Sequence, residues 1–145
     1  MNRHSVTLGT AAAILCVGIG LCGCSGQGGP PPLRDAVRSA LAPLDYPRGS
    51  RIFYLKNELP QDSTVEAVEP CPGDTSAPAF VVPEPGHLIF IDEQPDYDWE
   101  HRAKIIFFPT KTPKQARVLF TNTPASCLKM RGASGEEIKP IWEKW

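Results

Sequence analysis

The densest run of reactive side chains is Asp92-Glu93-Gln94-Pro95-Asp96-Tyr97-Asp98-Trp99-Glu100-His101, which holds five carboxylates and one imidazole. Carboxylates at this density can supply the hard oxygen ligands that calcium prefers. Asp96, Asp98 and Glu100 alternate as in a calcium loop, but no glycine makes the sharp turn such a loop needs. The run therefore reads as a solvated acidic loop between two strands. Within it Tyr97 and Trp99 are the best binding candidates, since exposed aromatic side chains commonly anchor partners. Asp96, Asp98 and Glu100 are the residues that would meet an ion or polar solute.

His87 and His101 could each serve as a general base beside Asp92 or Glu100. Both also fit as ordinary residues at strand ends. Two histidines without a spare thiolate make a poor zinc site, so no metal is expected. Ser126 and Ser134 lie outside any nucleophile elbow, and Gly132-Ala133-Ser134-Gly135 reads as a turn. Phosphate-cradling glycine loops are absent. The residues thus assign no catalytic group and no cofactor.

A different chemistry is written near the beginning of the chain. Arg3 and His4 precede an apolar run from Val6 to Leu21, which ends in Leu21-Cys22-Gly23-Cys24. The order of basic start, apolar stretch and small residues is that of an export signal. The tetrapeptide resembles the lipobox of bacterial lipoproteins. That resemblance implies cleavage before Cys24 and acylation, palmitate included, of the Cys24 sulfur. Cys22 is the poorer acceptor because bulky Leu21 precedes it. The resemblance also implies anchoring in the bacterial cell envelope. With Ser25 after the cysteine, the outer membrane, periplasmic side, is the expected site in a Gram-negative host. An uncleaved helix is the competing reading, since residues 6–24 approach the roughly 20 residues that cross a bilayer. Four glycines and two threonines dilute that stretch.

The remaining cysteines agree with export. Cys16 and Cys22 leave with the signal and Cys24 carries lipid, so Cys71 and Cys127 are left as an even pair in an oxidising compartment. They are expected to form a disulfide. Loss of Arg3 takes the net charge from −1 to −2, too little positive charge for nucleic acid, which demands a concentrated basic face. Partners should be the membrane, through the lipid anchor, and another envelope protein.

The elements that would carry these residues divide into three segments: a signal over 1–23, a Gly/Pro tether over 24–32, and one β-rich domain over 33–145. Leu33 to Leu44 has helical spacing of apolar residues, with Pro43 expected to end it. Arg51 to Leu55 reads as a strand. Residues 79–82 and 87–92 read as a pair of strands joined by Pro83-Glu84-Pro85-Gly86, with Gly86 available for positive φ. Lys104 to Phe108 and Arg117 to Thr121 flank a proline-marked turn and form the clearest hairpin. Glu137 to Trp142 is expected as a last strand, marked as an edge by Pro140. Residues 56–78 read as loop.

All 16 prolines lie beyond the signal, which disfavours a helical bundle and a parallel sheet. The expected fold is mainly β: a small antiparallel sandwich or barrel with one short helix and one disulfide. Arg51-Ile52-Phe53-Tyr54-Leu55-Lys56 is similar to a strand in the outer-membrane lipoprotein of type VI secretion systems, which are tethered β-sandwiches. That likeness spans six residues, and the loops that follow differ. The expected function is a lipid-anchored, non-enzymatic protein-binding or assembly module. A calcium- or solute-binding lipoprotein using residues 92–101, and a small hydrolase or hydrolase inhibitor, are the alternatives.

Overall fold

The computed structural model describes residues 31–68, 78–93 and 102–145. The expected signal, the expected lipidation site Cys24 and most of the expected tether lie outside these residues, as do Cys71 and the acidic run from Gln94 to His101. The described chain folds into one α-helix and nine strands, arranged as two antiparallel sheets.

Helix α1 spans Leu33–Leu41 and buries Ala36, Val37, Ala40 and Leu41 on one side. The helix packs on its own domain, as its amphipathic spacing implies, and stops earlier than the expected Leu44. Pro43 has no N–H to continue the ladder. Ala42 donates the last helical bond to Arg38 O, and Leu44 turns back to Leu41 O at 3.0 Å.

The strands are β1 Arg51–Leu55, β2 Thr64–Ala67, β3 Phe80–Val81, β4 Gly86–Glu93, β5 Arg102–Pro109, β6 Arg117–Thr121, β7 Leu128–Arg131, β8 Glu137–Ile138 and β9 Trp142–Lys144. One sheet has the order β6-β5-β4-β1-β9 and the other β3-β2-β7-β8. The five-stranded sheet is covered on both faces. Ile52, Tyr54, Ile89, Ile91, Ile106 and Phe108 meet the helix. Leu55, Leu88, Ile105 and Phe107 point the other way and join Val65 of β2 and Met130 of β7. Two-sided burial explains why His-Leu-Ile-Phe-Ile and Lys-Ile-Ile-Phe-Phe show no polar alternation, although side chains in a strand alternate between faces.

The expected strand at Arg51 to Leu55 and the β5–β6 hairpin are both present. Ile105 opposes Phe120 while Ile106 opposes Val118, so Leu119 is an extra residue, a β-bulge that bends β6. Four expectations need correction. The strands before and after Pro83-Glu84-Pro85-Gly86 are not partners, because β3 pairs with β2 whereas β4 pairs with β1 and β5. The proline turn switches the chain from one sheet to the other. Gly86 is also not needed for positive φ, which among the described glycines occurs at Gly49 and Gly135. A Cβ at Gly86 would collide with the Phe108 carbonyl and the Phe107 ring.

The expected last strand is two strands. β8 belongs to the four-stranded sheet and β9 to the five-stranded one, with Lys139-Pro140-Ile141 crossing between them. Pro140 marks that crossing. The segment read as loop over 56–78 contains β2, and β7 was not anticipated. Both are four-residue strands whose register, Thr64 opposite Arg131 through Ala67 opposite Leu128, is stated only by their mutual pairing. The Gly132–Gly135 turn is as expected, and Gly135 donates to Gly132 O at 2.9 Å. Among the described residues, no helix is long and apolar enough to cross a membrane.

Candidate functional site

The connection from α1 to β1 places Asp45 and Tyr46 over one end of the helix-covered sheet face. Tyr46 packs on that core while Asp45 stays exposed. Two surface hollows meet at this pair. One, of about 360 Å³, lies between Asp45, Tyr46, Leu44, Leu41, Arg38 and Trp145. The other, of about 290 Å³, is bounded by Asp45, Tyr46, Pro47, Glu93 and Lys104.

Trp145 is held by backbone and ring together. Its N–H donates to Ile52 O at 2.9 Å, extending the β1–β9 pairing by one residue. The indole sits edge-on to Tyr54, with ring centres 6.2 Å apart. The guanidinium carbons of Arg34 and Arg38 lie 5.4 and 5.9 Å from the indole centre, within cation–π range. The Arg38–Asp35 pair at 3.1 Å is exposed on both sides and adds little stability.

At the other end, Glu93 closes β4. Its register partner is Arg102, and Lys104 lies diagonally across on the same sheet face. Lys104 Nζ stands 2.8 Å from Glu93 Oε1. At that distance the ammonium and the carboxylate form a close ion pair. Glu93 is only 6% exposed, so the carboxylate side of the pair is shielded from bulk water. Asp92 faces the opposite way and pairs with Arg51 at 2.8 Å.

His87 is buried at the far end of β4, stacked on Phe108 with ring centres 5.5 Å apart. Its Nδ1 lies 3.0 Å from Leu55 O. A carbonyl only accepts, so Nδ1 carries the proton of the neutral ring. Burial lowers the His87 pKa below its ordinary value, against the opposing pull of the Leu55 carbonyl, the Glu58 charge and the Asn57 backbone. The ring is thus packed as a neutral strut within the strand, with Leu55 O as its partner rather than a nucleophile.

Tyr97, Trp99, Asp96, Asp98, Glu100 and His101 all lie outside the described residues, and so does Cys71. Cys127 is buried at the end of a short 3-10 turn, Ala125–Cys127. Among the described residues no three His, Cys, Asp or Glu side chains form a metal-binding group. Trp142 is half-buried against the core between the sheets, edge-on to Phe90 at 6.3 Å. Sequence reasoning missed the Asp45–Tyr46 hollows. Neither residue belongs to a motif, and only the tertiary fold brings them to Glu93, Lys104 and Trp145. Comparison with known protein families, curated proteins and solved structures gives no match for this chain.

Proposed function

We propose that this chain is a lipid-anchored cell-envelope protein whose domain, a β-sandwich capped by α1, binds another envelope protein. The observation that carries the reading is the pair of hollows joined at Asp45 and Tyr46. They combine two aromatic faces with both signs of charge, the composition expected where one protein anchors on another. The lipobox-like Leu21-Cys22-Gly23-Cys24 supplies the anchor. Two or more acyl chains hold stably, at roughly 0.8 kcal/mol per buried methylene. The short segment from Cys24 to Pro32 leads directly into α1, the helix that carries Arg34 and Arg38.

A Cys71–Cys127 disulfide belongs to the same reading. The Val68 N–H donates to Cys127 O at 2.9 Å. Cys71 follows three residues later, and three residues span up to about 10 Å, enough for the Cα separation of a disulfide. On the chain-entropy account, closing the loop contributes about 4 kcal/mol. A titre of two free thiols in the denatured, unreduced mature protein would remove the bridge from this reading.

Two experiments test the function. Cys24→Ser should abolish fatty-acid labelling and release the protein from membranes; unchanged retention refutes the anchor. A photo-crosslinking residue at Tyr46 should give a discrete adduct in intact cells, whereas the same residue at exposed Glu84, in the turn between the sheets, should not. Identical patterns from the two positions would refute the binding surface.

A further inference from the structure

Among the described residues the two sheets end in four edge strands, β6 and β9 in one and β3 and β8 in the other. An edge strand leaves main-chain N–H and C=O groups free on its outer side, and proteins guard such edges with short length, proline or charge. Strand β3 is two residues long with Pro78 and Pro83 close by, and β8 is two residues followed by Pro140. Strand β9 carries Glu143 and Lys144, with Glu143 paired to Lys56 at 3.5 Å. Strand β6, Arg-Val-Leu-Phe-Thr, has five residues, no proline and no acid.

We propose that the edge formed by β6 and β3 accepts an extended segment of a partner protein in which a carboxylate sits between apolar side chains. This surface goes beyond the binding reading above and shares no residue with the Asp45–Tyr46 hollows. The two strands border a hollow of about 290 Å³, with Phe80 on one side and Val118, Leu119 and Phe120 on the other. Val81 and Val118, two of the three exposed large apolar side chains among the described residues, belong to these same strands. A strand added to β6 gains main-chain hydrogen bonds, and its alternate side chains can fill the hollow.

Arg117 specifies the charge of the occupant. It is exposed and lines the hollow, with its guanidinium carbon 4.8 Å from the Phe80 ring centre. Among the described residues it has no carboxylate partner. The ring holds one face of the guanidinium and leaves the N–H edge available to a carboxylate, which it can grip with two parallel bonds. A second copy of this chain fits less well. Two-fold pairing of β6 about Leu119 sets Arg117 against Thr121, so the guanidinium gains no anion, and the bulge falls at the centre of the seam.

The test uses the full chain as purified, in detergent micelles, and the peptide acetyl-Thr-Val-Asp-Val-Thr-amide as probe. Its controls are the same peptide with Asn for Asp and a version N-methylated at both valines, which cannot pair as a strand. The Asp peptide should shift the backbone amides of Phe80 and Val118 to Phe120 and leave Tyr46 unmoved. The Asn peptide should bind at least fivefold more weakly and the N-methylated one should be inert. Arg117→Gln should weaken the Asp peptide at least fivefold and abolish its advantage over the Asn peptide. No localised shift overturns the proposal, and equal binding of the N-methylated peptide overturns strand addition. An Asp preference that survives in Arg117→Gln overturns the charge assignment. A mass twice that of the chain, with no response to any peptide, gives the edge to a second copy and also overturns it. None of these outcomes alters the crosslink at position 46, so the two readings fall separately.

Discussion

His87 Nδ1 faces the Leu55 carbonyl at 3.0 Å, tying β4 to the end of β1 by a side chain as well as by the strand ladder. The bond needs no charge on the ring, and the surroundings resist one. Because the His87 pKa is lowered in the folded state, the unfolded chain binds the proton more readily. Stability is therefore fully present above the ordinary histidine value near 6.5 and declines as pH falls below it, down to the folded-state pKa. The urea midpoint of the wild type should drop between pH 7 and 5. His87→Phe should remove that part of the slope while lowering stability at pH 7, since Leu55 O loses its donor. An unchanged slope in the variant would show that other groups set the acid response.

Gly86 gives a sharper steric prediction. Its Leu59 partner bonds from both sides, with N–H to O distances of 2.7 and 3.1 Å, and the Phe108 carbonyl and Phe107 ring fill the space a side chain would need. Backbone oxygen cannot rotate aside. Gly86→Ala should cost about 3 kcal/mol, at the upper end for overpacking. Chemical denaturation of the variant measures this directly, and a loss below about 1 kcal/mol would contradict the steric account.

Burial should separate two apolar residues of the same sheet. Ile89 is inaccessible to solvent and lies at the centre of the helix-covered face, so Ile89→Ala should cost about 2–5 kcal/mol. Val118 on edge strand β6 is 46% exposed, and Val118→Ala should change stability by no more than about 0.5 kcal/mol. Parallel urea titrations compare the two. A similar loss at both sites would mean that the β6 surface is covered.

Trp145→Ala removes the edge-on contact to Tyr54 and the platform beneath Arg34 and Arg38. Aromatic pairs contribute about 0.5–1.5 kcal/mol beyond area, and each exposed cation–π contact about 0.5–1 kcal/mol. The combined loss should be about 1.5–3.5 kcal/mol in thermal or urea unfolding. Arg34→Gln and Arg38→Gln together should reproduce only the cation–π share. A double substitution as damaging as Trp145→Ala would place the stabilisation in the arginines alone.

How far the sequence speaks depends on how local each signal is. The α1 stripe, the β1 run and the β5–β6 hairpin were legible, because each is encoded by one continuous local stretch, the longest being Arg102 to Thr121. β2 and β7 were not. Val65 and Met130 are buried only because their strands pair across the fold, and no local pattern distinguishes Thr-Val-Glu-Ala from loop. Proline-marked turns were placed correctly, but the change of sheet at Pro83–Gly86 and again at Lys139–Ile141 was invisible. A turn residue fixes its own φ and says nothing about which strand follows. The Asp45–Tyr46 hollow was illegible for a related reason: four ordinary residues from three elements converge there, and none advertises itself by type or spacing.

The pairing of β1 with β9 sets Phe53 opposite Lys144, whereas β4 meets β5 and β5 meets β6 through short connections. Closing a distant pair costs more chain entropy before any contact rewards it. The β4-β5-β6 meander is therefore the natural nucleus of assembly, and the β1–β9 seam forms late. Until that seam closes, Tyr54 lacks its indole cover and the Arg34–Trp145 corner does not exist, so the corner between α1 and the last strand is the last part of the domain to acquire its shape.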